Sequence, residues 1–177
     1  NGLKLYQEAY DAAGFNVIVF PLIMAPPETS GWFAKEIKTP ADLKGVKMRF
    51  YGLGGSVIEK LGASANMLPP AEIFPALEKG VIDAAEFSSP SVDESQAFYK
   101  VVDYNYFPGW HQQATFLELV INKDIWNRMT PDQQAVINMG VRANLLQTMA
   151  DGEGTQGAVI KRNAEKRGVK NMYWSDE

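Results

Sequence analysis

Arg49, Glu28, Glu86 and Gln112 are the residues whose types and surroundings could act together. Arg49 ends a strand-like run in "GVKMRFYGLGGSVIEKLG" and is followed by a glycine-bearing turn into a helix. A guanidinium offers a planar fork of donors that matches a carboxylate at two points. Glu86 follows the apolar run of "VIDAAEF", and Glu28 sits in the proline- and glycine-bearing loop "APPETSGWF" after another apolar run. In an open α/β sheet, three strand ends would deliver Glu28, Arg49 and Glu86 to one crevice, where such sheets place their ligands. Oxygen donors from the two glutamates and an amide such as Gln112 suit Na⁺ or Ca²⁺ rather than zinc. A cation there would offset the repulsion between the glutamates and an anionic ligand, leaving Arg49 to hold the carboxylate.

Other chemistries find less support. "YGLGGSV" resembles a dinucleotide loop, but the third fingerprint glycine falls at Val57 and no phosphate-binding lysine follows. Ser56 is read as the N-cap of the helix after that turn. The single histidine, His111 in "PGWHQQ", cannot supply a His-rich zinc site or a Ser/His/Asp site without unusual partners and reads as a hydrogen-bonded loop residue. With Glu28 and Glu86 it supplies the one enzyme alternative, a metal-assisted lyase or hydrolase, although nothing reads as an activated nucleophile. Zero cysteines remove disulfides and thiolate chemistry. A net charge of -4 without a Lys/Arg run argues against nucleic acid as a partner.

The elements that must position these residues alternate. Leu3, Tyr6, Ala9, Tyr10 and Ala13 have helical spacing, with Gly14 as a stop, and "NVIVFPLI" reads as a buried strand. From Thr39 to Phe87, short helices in "TPADLKG", "SVIEKLGA" and "PAEIFPALEKG" alternate with strands in "VKMRFYG", "ANMLP" and "VIDAAEF". That order favours a mixed, mostly parallel sheet flanked by helices. "YNYFPGW" reads as an aromatic turn and "ATFLELVIN" as one more strand. Thr130, Pro131 and Gln133 then open a long helix whose Val136, Met139, Ala143, Leu146 and Ala150 form a stripe expected to pack in a core. The glycines of "DGEGTQG" are expected to interrupt that helix before "AVIKRNAEKRG", and "NMYW" to form a last strand. At 177 residues and 46% apolar content, the chain can bury a core, and no apolar run approaches the roughly 18 residues needed to span a bilayer.

The segments "GWFAKEIKTPADLKGVKMRFYG", "PAEIFPALEKGVIDAAEF" and "FYKVVDYNYFPGWHQ" resemble the extracytoplasmic solute-binding proteins of TRAP transporters, in the subgroup for 2-oxo and 2-hydroxy monocarboxylates. The resemblance runs through roughly residues 15 to 125. It implies an α/β, periplasmic-binding-protein-like lobe plus a long C-terminal helix, and a periplasmic receptor rather than an enzyme. Arg49 matches the family's carboxylate-clamping arginine. Glu28, Glu86, Phe87 through its carbonyl, and Gln112 match the positions that hold a bridging metal. The subgroup often has glutamine at Glu28, tryptophan at Phe87 and glutamate at Gln112, so glutamine and glutamate stand exchanged here. The implied partners are a small monocarboxylate, the TRAP membrane permease subunits and a second copy through the long helix. A sensor domain of the same fold is the remaining alternative. Family members are much longer at the N-terminus, so most of a first lobe is expected to be missing. On that reading residues 1–20 end a first-lobe segment or crossover, 21–88 form the ligand-binding lobe, and 89–177 hold the returning segment, hinge, strand and long helix.

Overall fold

Short apolar runs closed by glycines and prolines give this chain many brief elements and one long one. The computed structural model describes residues 2–175; Asn1, Asp176 and Glu177, the outer ends of the ranges above, lie outside the described residues. In chain order the elements are α1 (Gly2–Ala12), β1 (Val17–Ala25), β2 (Gly31–Phe33), a 3₁₀ turn (Pro40–Leu43), β3 (Lys47–Arg49), α2 (Leu53–Lys60), β4 (Ser64–Asn66) and α3 (Pro70–Glu78). Then come β5 (Ala84–Ala85), α4 (Pro90–Ser95), a second 3₁₀ turn (Phe98–Lys100), β6 (Tyr104–Phe107), β7 (Thr115–Asn122), α5 (Lys123–Arg128), α6 (Pro131–Arg167) and β8 (Lys170–Tyr173). No helix among the described residues is long and apolar enough to cross a membrane.

Two compact units are built from non-consecutive stretches: Asn1–Pro26 with Ala114–Glu153, and Pro27–Gln113 with Gly154–Glu177. In the first, β1 and β7 pair antiparallel, with an irregularity between Pro21 and Ile23. Proline lacks the N–H a ladder needs. The Leu22 carbonyl at this irregularity accepts instead from the Asn144 side chain at 2.7 Å, and Thr148, one helical turn further along α6, accepts from the Met24 N–H at 3.0 Å. Helix α1 docks on the same pair: Tyr6 and Tyr10 both donate to Glu118, and Gln7 bonds the backbone of Val17 and Val19.

The second unit carries the six-stranded sheet, in the order β4-β3-β5-β2-β6-β8. β3 runs parallel to β4 and β5, and β6 parallel to β8, whereas β2 is antiparallel to both its neighbours. Neighbouring residues on a strand face opposite sides. Accordingly Phe33, Met48, Phe50 and Ala84 enter one buried cluster, with Leu43, Val46 and Ile58, while Trp32 and Ala85 enter another with Ile73, Leu77 and Phe98. Both faces are covered, as the alternating order of helices and strands predicts.

Four local expectations change. Tyr104–Phe107 is strand β6, not a turn; only the residues after it turn. Helix α2 begins at Leu53, placing Ser56 inside it, because Gly52 at φ 66° adopts the conformation that admits the helix four residues earlier. Helix α6 is continuous from Pro131 to Arg167. Each interior glycine costs about 1 kcal/mol relative to alanine, too little to break a helix anchored at that point, and a side chain at Gly152 would meet Pro26 at 3.3 Å. Finally, the stripe Val136, Met139 and Leu146 is exposed, at 68%, 71% and 63%. The face of α6 turned inward holds Val141, Asn144 and Thr148 instead.

Candidate functional site

β3 ends at Arg49, and β5, its parallel neighbour, ends one residue before Glu86. Arg49 is 6% exposed and Glu86 4%. The Glu86 N–H donates to the Arg49 carbonyl at 2.9 Å, extending the strand pairing by one residue. Arg49 Nη1 donates to Glu86 Oε2 at 2.9 Å and also to the Glu86 carbonyl, and Nε reaches the Leu68 carbonyl at 3.4 Å. The Tyr51 N–H donates to the same Glu86 oxygen at 3.1 Å. The guanidinium lies 5.4 Å from the Phe87 ring centre, so its free edges are confined between an acid and an aromatic face.

The loops before β2 and after β6 bring the remaining groups. Glu28 precedes β2 rather than ending a strand of this sheet. Its N–H donates to the Gln112 carbonyl at 3.1 Å, and Gln112 Nε2 donates to Glu28 Oε1 at 2.8 Å, leaving the amide oxygen of Gln112 as an acceptor. Gly109 permits this contact, since a Cβ there would fall 2.2 Å from the Glu28 carbonyl oxygen.

His111 joins the two acids. Its Nε2 lies 2.9 Å from Glu28 Oε2 and 3.5 Å from Glu86 Oε1. Burial pulls the imidazole pKa down, but hydrogen bonds to Glu28 and Glu86 and the charges of both carboxylates outweigh it and raise the pKa to about 9. At neutral pH the histidine is therefore an imidazolium. His111 Nδ1 is buried without a hydrogen-bond partner among the described residues.

Donor atoms of Glu28, Glu86 and His111 lie within 4.8 Å of one another, a spacing a single cation can bridge. Carboxylates and an amide oxygen are the donor set of a hard cation, so Glu28, Glu86 and Gln112 fit Na⁺ or Ca²⁺. The cluster thus brings together the four side chains singled out in the sequence, Glu28, Arg49, Glu86 and Gln112. His111 is a hydrogen-bonded loop residue as read, but its partners are the two acids. Phe87 contributes its ring, against Arg49 and, at 5.9 Å, against Phe98. A separate cavity of about 380 Å³ is lined by Met48, Phe50, Trp110, Trp174 and Lys38 among others, and by none of Glu28, Arg49, Glu86 and His111.

The six-stranded unit is a mixed α/β lobe of the periplasmic-binding-protein type of fold, with a guanidinium and an acid cluster beside its strand ends. The chain belongs to the bacterial extracellular solute-binding protein family 7, which it matches over residues 3–171. It is 43% identical over 145 residues to a monocarboxylate 2-oxoacid-binding periplasmic protein of Nostoc sp., covering 81% of this chain and 39% of that one. A TRAP transporter solute-binding protein from Bordetella bronchiseptica, a mixed-occupancy dimer with calcium and picolinate, has a TM-score of 0.85 at 32% identity, covering 99% of this chain and 52% of that one. Another, from Pseudoalteromonas atlantica with sodium and pyruvate, has a TM-score of 0.81 at 33% identity, covering 98% and 52%. The resemblance to TRAP solute-binding proteins therefore holds, and the chain spans about half or less of the length of these relatives.

Proposed function

We propose that the chain carries the ligand-clamping part of a periplasmic TRAP receptor that captures a small 2-oxo or 2-hydroxy monocarboxylate of the pyruvate type. The pairing of Arg49 with Glu86, which His111 in turn joins to Glu28 and Gln112 borders, carries this reading. Arg49 holds the ligand carboxylate, while Glu28, Glu86, Gln112 and the Phe87 carbonyl hold a Na⁺ or Ca²⁺ ion that offsets the anion's charge. The unit of residues 27–113 and 154–177 is then the ligand-binding lobe. The ligand is released unchanged to the membrane permease. Calcium and sodium beside carboxylate ligands in the Bordetella and Pseudoalteromonas proteins support the cation.

The lyase or hydrolase alternative needs a positioned water and a free base, whereas His111 Nε2 is engaged between Glu28 and Glu86. NMR of pyruvate and lactate incubated with the protein separates the two: a receptor broadens the ligand signals and returns the same molecule, and any accumulating product overturns the reading. A second copy docked along the exposed Val136, Met139 and Leu146 face of α6 accounts for that apolar surface, and the dimeric Bordetella relative favours it. A light-scattering mass of one chain at high concentration would contradict the dimer.

A further inference from the structure

Asp93 is fully buried in α4 and belongs to none of the groups assigned above. A buried carboxylate is expensive unless its oxygens are all engaged. Here Asp93 Oδ2 accepts from the Thr29 hydroxyl at 3.1 Å and from Trp32 Nε1 at 2.8 Å, and Oδ1 accepts from the Ser88 N–H at 3.0 Å. Thr29 adjoins Glu28, and Ser88 lies two residues past Glu86. The Thr29 N–H donates to the Ser88 carbonyl at 3.1 Å, closing the same junction through the backbone. One carboxylate therefore joins the segment bearing Glu28 to the segment bearing Glu86. Thr29 leads into β2 and Ser88 follows β5, and the Asp93 side chain from α4 bonds to both stretches.

We infer that Asp93 is a positioning residue for the acid pair, fixing the separation of Glu28 and Glu86 at which one cation can bridge them. It touches neither ion nor ligand. The inference rests on the cation-assisted reading proposed above. Burial itself opposes ionisation and pushes the Asp93 carboxyl well above the ordinary range, while the bonds from Trp32, Thr29 and Ser88 pull it back. Replacing a buried ionised pair or network by apolar groups is often neutral for stability. A fully buried carboxyl whose two oxygens take three hydrogen bonds from the Glu28 and Glu86 stretches is better accounted for by the geometry it fixes than by stability. Partners one step removed from a metal's ligands change affinity by about 10- to 100-fold when lost.

Three variants divide positioning from simple support of the fold. Asp93→Asn replaces one accepting oxygen by a donor, Thr29→Val cuts the side-chain link to the Glu28 segment, and Trp32→Phe removes one Asp93 bond while leaving those from Thr29 and Ser88 in place. Ca²⁺ titration by calorimetry, with thermal midpoints measured alongside, should show on the order of 10-fold weaker binding for Asp93→Asn and Thr29→Val. Trp32→Phe should stay within about twofold despite a comparable loss of midpoint. Folded Asp93→Asn that binds Ca²⁺ as the parent does, or affinities that simply follow the midpoints, would overturn the inference. Hydrogen exchange at the Thr29 amide gives a readout independent of any ion. Protection lost in Asp93→Asn and Thr29→Val but kept in Trp32→Phe supports the junction, and protection kept in all three refutes it. A parent that binds no Ca²⁺ would sink the cation reading, and the amide exchange would still decide the role of Asp93.

Discussion

Replacing Arg49 with alanine should do two separable things. The side chains of Arg49 and Glu86 are 7% and 5% exposed and 2.9 Å apart, so removing the guanidinium takes away the nearer counter-charge of a buried carboxylate and leaves only His111 Nε2, at 3.5 Å. Breaking such a pair from one side costs about 3–5 kcal/mol of stability. It also removes the fork proposed to hold the ligand. Losing one partner of a buried, hydrogen-bonded charge pair costs about 2–5 kcal/mol of binding, roughly 30-fold to several thousand-fold in affinity. Adding Glu86→Gln to Arg49→Ala removes the stranded charge, so most of the stability should return while pyruvate affinity does not. Arg49→Lys should keep the pairing charge and much of the stability, yet bind poorly, since an ammonium lacks the planar fork. Denaturant unfolding with pyruvate calorimetry in Ca²⁺ reads both quantities on the same samples. An Arg49→Ala protein with parental stability, or with affinity within threefold of the parent, would refute the reasoning.

Gly109→Ala should displace the loop bearing His111 and Gln112, because its Cβ would sit 2.2 Å from the Glu28 carbonyl oxygen. Overpacking of this kind costs about 1–3 kcal/mol, and Ca²⁺ affinity should fall with it, as calorimetry would register. Glu94 is held below the usual glutamate range, first by its hydrogen bond from Arg162 and then by the charges of Arg167 and Arg162. A carboxyl depressed in the folded state stabilises above its unfolded pKa and loses that contribution as pH falls through the folded value. Thermal midpoints should therefore drop on acidification below about pH 4.5, and Glu94→Gln should flatten that slope; an unchanged slope contradicts the assignment.

The sequence made the β3-to-β5 region legible because its strands are short apolar runs between glycine-stopped helices, and Arg49 and Glu86 fall at their ends whatever the finer geometry. β2 was hidden by the proline-bearing loop before it and by its three-residue length. Its adjacent Trp32 and Phe33 serve opposite faces of the sheet, so they show no one-sided alternation. The glycines of α6 read as a break because the contact of Gly152 with Pro26 joins residues 126 positions apart. The α6 stripe read as core because spacing identifies an apolar face without saying what covers it. In the site, residue types pointed to an oxygen-rich cation centre, but the contact of His111 with both acids depends on two loops meeting, which no local pattern encodes. Asp93 carried no signal for the same reason, since its partners lie at Thr29, Trp32 and Ser88.

The account rests on a carboxylate held by Arg49 with the help of a cation between Glu28 and Glu86, and pyruvate calorimetry with the cation as the only variable tests it most directly. In Ca²⁺ or Na⁺ the protein should bind pyruvate with a measurable heat. After chelation and exchange into a buffer free of both ions, affinity should fall at least 10-fold and recover on adding either ion back. Pyruvate bound equally well with and without the ions would contradict the account.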